Sequence, residues 1–147
     1  CGISLALKRK KSNSKVFVLL GDGELNEGSI WESIMFAAEH KLDNIMVIID
    51  NNKVSMLDYC KNIINLTPME EKLKIFGWDV ETIDGHNVEE LYNSLMDFKE
   101  KRNGQKPKVL IADTVKGKGV TMLENDPLCH VKSLSKDEAI LAIKDMV

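Results

Sequence analysis

The sequence predicts an α/β fold built on a doubly wound, mostly parallel sheet. Short apolar runs alternate along the chain with stretches of helical periodicity. The runs Val16–Leu20 and Ile45–Ile49 are continuous in apolar residues rather than alternating. A strand covered on both faces needs apolar side chains at successive positions, whereas a half-solvated strand alternates. Strands interleaved with helices in this way favour a parallel sheet flanked by helices on both sides.

Each element has its own signal. Gly2-Ile3-Ser4-Leu5-Ala6-Leu7-Lys8 reads as a helix already under way, with no cap before it. The chain is therefore expected to begin inside a domain that is incomplete at its N-terminus. Val16–Leu20 is a strand ended by Gly21. From Ser29 to His40, Ile30, Trp31, Ile34, Met35, Ala37 and Ala38 recur at helical spacing. That helix either packs on the sheet or offers an interface. Ile45–Ile49 is the second strand, closed by Asp50-Asn51-Asn52, and a polar loop follows to Leu66. Thr67 as N-cap, Pro68 in the first turn and Glu70 at the capping-box position start a helix that stops at Gly77. Trp78–Ile83 is a third strand, followed by the turn Asp84-Gly85-His86. Val88–Arg102 is a helix with Leu91, Leu95 and Phe98 on one face, stopped by Asn103-Gly104. Lys108–Val115 is a fourth strand. Gly117 and Gly119 open an irregular stretch to Val131, and Ser135 caps a last helix, Lys136–Met146.

Composition bounds the function. The 147 residues suit a single domain, 1–147, with a real core. Twenty Lys+Arg against 23 Asp+Glu give a net charge of -3, so there is no electrostatic case for nucleic acid or an anionic membrane. The cluster Lys8-Arg9-Lys10-Lys11 reads as a solvated helix end. No apolar run approaches the roughly 20 residues that span a bilayer. Cys1, Cys60 and Cys129 are odd in number and show neither a disulfide framework nor zinc spacing, which points to the cytoplasm.

In open α/β sheets ligands bind beyond the carboxyl ends of the strands. After the first strand stands Gly21-Asp22-Gly23-Glu24, and after the second Asn51-Asn52-Lys53. An Asp between glycines can project its carboxylate while bare backbone approaches an anion, and the next helix offers its N-terminus to phosphate. Between Gly23 and Asn51 lie 27 residues, enough for one helix and one strand of a parallel crossover. An Asp carboxylate, an Asn carbonyl and a main-chain carbonyl form an all-oxygen set suited to Mg²⁺. Either tripeptide alone reads as a simple turn; the pair at this spacing reads as a site. A dinucleotide fingerprint fails, because it needs Gly at 21, 23 and 26, and position 26 is Asn.

The pairing G-D-G…N-N is that of thiamine diphosphate enzymes. The string Gly21-Asp22-Gly23-Glu24-Leu25-Asn26-Glu27-Gly28-Ser29-Ile30-Trp31-Glu32 resembles transketolase, and most of all the form split into two subunits. Similarity continues through Lys41–Asn44, Phe76-Gly77-Trp78, Ile83–His86 and Thr114–Val120. The resemblance implies a thiamine diphosphate-binding fold, and transfer of a two-carbon ketol unit between sugar phosphates, as in the pentose phosphate pathway. It implies thiamine diphosphate held with Mg²⁺, for which Ca²⁺ can substitute. Asp22 and Asn52 would be side-chain metal ligands, with Val54 giving a main-chain carbonyl. Gly21 and Gly23 would lie against the diphosphate, and Met56 would line the thiazolium pocket. His130 would reach both the diphosphate and the reacting substrate, although Val131 stands where the family has Gly; a lone loop histidine is otherwise simply exposed. Glu27 and Glu32 match interface acids of the family, or else serve as first-turn helix charges. His86 matches a family pattern of unassigned role.

The resemblance also implies a partner: a pyrimidine-binding domain or C-terminal transketolase subunit, within an oligomer. Nothing in the chain resembles that domain, so the chain alone is expected to be inactive. Gly2-Ile3-Ser4 matches the end of a family segment carrying further histidines. The alternatives are the cofactor-binding part of a deoxyxylulose phosphate synthase or a 2-oxoacid dehydrogenase, or a non-catalytic degenerate binding domain.

Overall fold

The computed structural model describes residues 1–56, 58–101 and 104–145. Four strands, β1 (Val16–Gly21), β2 (Ile45–Asn51), β3 (Asp79–Asp84) and β4 (Lys108–Asp113), form one sheet in the order β1-β2-β4-β3. All three pairings are parallel. The helices are α1 (Gly2–Arg9), α2 (Gly28–Glu39), α3 (Cys60–Ile63), α4 (Met69–Ile75), α5 (Val88–Glu100) and α6 (Lys136–Asp145). The predicted parallel α/β sheet is the one observed.

The sheet separates two cores. On one face, α2 (Ile34, Ala37) and α4 (Leu73) cover Ile45 and Ile49 of β2 and Val109 and Ile111 of β4. On the other, Phe98 of α5 covers Met46, Leu110, Ala112 and Ile83. Central β4 is buried along Lys108–Ala112, as expected of a strand covered on both sides. Edge strand β1 differs from its reading as fully buried. Val16, Val18 and Leu20 join the first core, while Leu19 is 71% exposed. Phe98 of α5 reaches β1 on that face, its ring meeting Phe17 edge-on at 5.5 Å. Helix α2 packs on the sheet and leaves Met35 and Phe36 outward.

Several boundaries differ from the expected ones. Thr67 is not the N-cap of α4. The Pro68 carbonyl accepts the first helical bond, from Lys72 N–H at 3.3 Å, so the cap position falls on Pro68, which has no side-chain acceptor. Glu70 instead pairs with Lys74 and accepts from Thr82 Oγ1. The loop before Leu66 holds the unexpected α3. Strand β4 ends at Asp113, two residues early, as the chain turns toward Gly117 at φ +79°. Helix α5 ends at Glu100; Arg102, Asn103 and Met146 lie outside the described residues. Ser135 does cap α6, since its Oγ accepts Glu138 N–H while Glu138 accepts Ser135 N–H. Lys8 ion-pairs with Asp43 at 2.9 Å. No helix among the described residues is long and apolar enough to cross a membrane.

Candidate functional site

The parallel register sets Gly21 beside Asp50 and Asn51 beside Asp113, so the first two strand ends are neighbours. A 3-10 turn, Asp22–Asn26, follows β1 directly, and Glu24 Oε1 closes it by accepting Gly21 N–H at 2.8 Å. This turn drives Asp22 inward, leaving it 6% exposed. Asp22 Oδ2 accepts the Lys53 N–H at 2.6 Å, which bridges the end of β1 to the segment after β2. Asp22 Oδ1 is buried with no hydrogen-bond partner. Buried polar atoms are nearly always satisfied, and an orphaned carboxylate oxygen costs free energy. Burial pushes the Asp22 carboxyl above its ordinary value. The Lys53 N–H, the Cys60 thiol and the Gly23 N–H pull the other way, and the charge of Asp50 adds a little.

Asn52 lies next along this segment. Its Oδ1 accepts the Val54 N–H at 3.0 Å, and its Nδ2 donates to Asp50 Oδ2 at 3.2 Å. Val54 is buried and bridges antiparallel to Tyr59, so the chain doubles back over Asp22. A Cβ on Gly23 would stand 3.0 Å from Ser55 Oγ, so a side chain there would crowd the turn against this segment. Cys60 reaches Asp22 from α3, its thiol pushed up to about 11 by burial and by the Asp22 carboxylate. Beyond lies a cavity of about 460 Å³, lined in part by Asp22, Asn51, Lys53, Cys60, Lys61 and Asp113. Lys53 ion-pairs with Asp113 at 2.6 Å.

The residues present fit a small hard cation and a phosphate. An orphaned carboxylate oxygen, an amide oxygen with a second lone pair, and two cavity lysines are a donor set for an ion that completes its shell with water and phosphate oxygens. Among the described residues no group of three His, Cys, Asp or Glu side chains could hold a metal instead.

The structure thus draws Asp22, Gly23, Asn52 and Val54 together. Of the predicted site residues Asp22 lines the cavity; Gly21, Gly23, Asn52, Val54, Met56, at 62% exposed, and His130, on an exposed loop, do not. Glu27 and Glu32 are exposed. His86 Nε2 accepts the Val115 N–H at 2.8 Å and so fastens the turn after β4. Sequence reasoning missed Cys60, which arrives on the unpredicted α3, and Asp50, whose role depends on the register between β2 and β4. The Lys53–Asp113 pair, 60 residues apart, left no local signal.

Comparison with known proteins gives one answer. One subunit of the apulose-4-phosphate transketolase of Actinobacillus succinogenes is 38% identical over 145 residues, covering 99% of this chain and 51% of that subunit. The transketolase of Homo sapiens is 36% identical over 147 residues, covering 99% of this chain and 23% of that protein. A crystal structure of transketolase from Campylobacter jejuni superposes with a TM-score of 0.85 at 29% identity, over 99% of this chain and 23% of that one. The chain spans about half the length of the subunit relatives and under a quarter of the full transketolases. A family model described as transketolase, thiamine diphosphate binding domain, matches residues 8–146, and the chain belongs to that family.

Proposed function

We propose that this chain is the cofactor-holding component of a transketolase, gripping Mg²⁺ and the diphosphate of thiamine diphosphate through Asp22 and Asn52. The observation that carries the reading is the buried, orphaned Oδ1 of Asp22, whose other oxygen, Oδ2, is bonded to the segment that holds Asn52 and Val54. A carboxylate left unsatisfied at a strand end is stabilised by a cation, and the cation in turn offsets diphosphate charge. Gly21 and Gly23 keep the backbone clear for the diphosphate. When bound, the cofactor supplies an electron sink for moving a two-carbon ketol unit between sugar phosphates. His130 is assigned a role with the reacting substrate and Met56 a place beside the thiazolium ring. Both are brought to the site only as the exposed segments around them pack against a partner.

That partner is proposed to be a pyrimidine-binding domain or C-terminal subunit. Relatives whose names mark them as one subunit of a transketolase support it. Residues 1–147 are then one domain of a larger oligomeric enzyme, working in the cytoplasm and inactive alone. The test is a calorimetric titration of thiamine diphosphate, with Mg²⁺ and again with EDTA, into the chain and into the chain with its partner subunit. Binding that needs both Mg²⁺ and Asp22 is the expected result. Binding indifferent to EDTA and to Asp22→Ala in both settings overturns the assignment.

A further inference from the structure

An asparagine side chain has two ends of nearly equal size and opposite polarity, and only the oxygen can face a cation. Two neighbours decide how the Asn52 amide lies. The Val54 N–H can only donate, and it meets Oδ1 at 3.0 Å. The Asp50 carboxylate can only accept, and it takes Nδ2 at 3.2 Å. Asp50 is itself braced from the residue that follows β4, since its Oδ1 accepts the Thr114 hydroxyl. Thr114 is tied back to β2 by its N–H, which donates to Asn51 O at 3.4 Å. Neither Asp50 nor Asn52 lines the cavity beside Asp22; both Asp50 oxygens are engaged, Oδ1 by Thr114 and Oδ2 by Asn52.

We propose that Asp50, braced by Thr114, is a positioning residue that holds the Asn52 amide with its oxygen available to the divalent cation. The inference rests on the reading of Asp22 and Asn52 as metal ligands. Without Asp50 the amide keeps only the Val54 anchor, and rotamers that swing Oδ1 away, or turn NH₂ toward the cation, become populated. Supporting side chains of this kind set ligand orientation at metal sites and typically change metal affinity by about 10- to 100-fold.

Asp50 also places negative charge near the site, and the experiment separates that from positioning. Mn²⁺ is the probe, titrated into the folded chain and read by water-proton relaxation, with circular dichroism confirming that each variant folds. Asp50→Ala is expected to weaken Mn²⁺ binding by roughly 10-fold or more. Asp50→Asn, isosteric and still offering one acceptor oxygen to Asn52 Nδ2, recovers most of that loss. The decisive background is Asn52→Asp, which has oxygen at both ends and needs no orienting; there Asp50→Ala costs no affinity. Positioning is overturned by unchanged affinity in Asp50→Ala, by Asp50→Asn binding as weakly as Asp50→Ala, or by an equal loss in the Asn52→Asp background. The underlying reading fails separately: if Asp22→Ala and Asn52→Ala leave Mn²⁺ binding unchanged, both fall. If those two abolish binding while Asp50→Ala does not, the positioning role alone falls.

Discussion

Two buried polar groups sit at opposite ends of the sheet and are treated in opposite ways. At the amino end, Ser4 Oγ donates to Asn44 Oδ1 at 2.6 Å and Asn44 Nδ2 returns a bond to Ser4 O at 2.9 Å. Asn44 O also accepts the Val16 N–H, so α1, β1 and the start of β2 are fastened by one reciprocal knot. At the carboxyl end, Asp22 is buried as deeply, yet one of its oxygens has no partner. Burial alone does not distinguish a structural polar group from one that waits for a ligand. The unsatisfied oxygen is what separates Asp22 from the Ser4–Asn44 pair, and Asn26 Oδ1 shares it.

The contrast can be broken at either end. The largest effect is expected from Asp22→Asn. It should lower Mg²⁺-dependent thiamine diphosphate affinity on the order of 100-fold or more, measured by calorimetry, since losing a ligand costs at least as much as losing its support. The same variant should make the ligand-free chain more stable in urea, because it removes a buried charge. Asn44→Ala should do the reverse. It orphans the Ser4 hydroxyl and should cost about 2–3 kcal/mol in urea unfolding, with metal affinity unchanged. Gly85→Ala should cost roughly 1–3 kcal/mol, because its Cβ would collide with Thr114 Cγ2 and come within 3.0 Å of Asp113 O.

The smallest effect is a pH slope. The folded Asp22 carboxyl lies above its unfolded value of 3.8. Its contribution to stability is therefore fully present below that value and is lost as pH rises through the folded one. Ligand-free protein should lose stability across that interval in urea titrations. Asp22→Asn should remove that part of the slope, and saturating Mg²⁺, which favours the ionised form, should remove it too.

The sequence made the sheet and the nearness of its first two strand ends legible because both are written locally: continuous apolar runs mark the strands, and Gly-Asp-Gly and Asn-Asn mark their ends. The half-bare β1 was not legible, since Phe17 and Leu19 are as apolar as Val16 and Val18, and only the helix layout decides which face is covered. Pro68 replaced Thr67 at the α4 cap because the cap is defined by which carbonyl starts the helical ladder, and no side chain announces that. Helix α3 is a single turn, too short for periodicity to register, and it carries the Cys60 that meets Asp22. His86 had no role assignable from the sequence; in the structure it is a fastener, and its partner, Val115 N–H, lies 29 residues away.

The strand order has a consequence for how the chain is made. β4 enters between β2 and β3, so the second edge of β2 stays unpaired until residues 108–113 exist. The contact that closes this gap, Asn51 to Asp113, spans 62 residues. At about 5–20 residues per second of synthesis, one of the most apolar strands waits several seconds with a bare row of backbone donors and acceptors, an edge of the kind other chains can pair with. The segment carrying both proposed metal ligands is thus translated early and completed late.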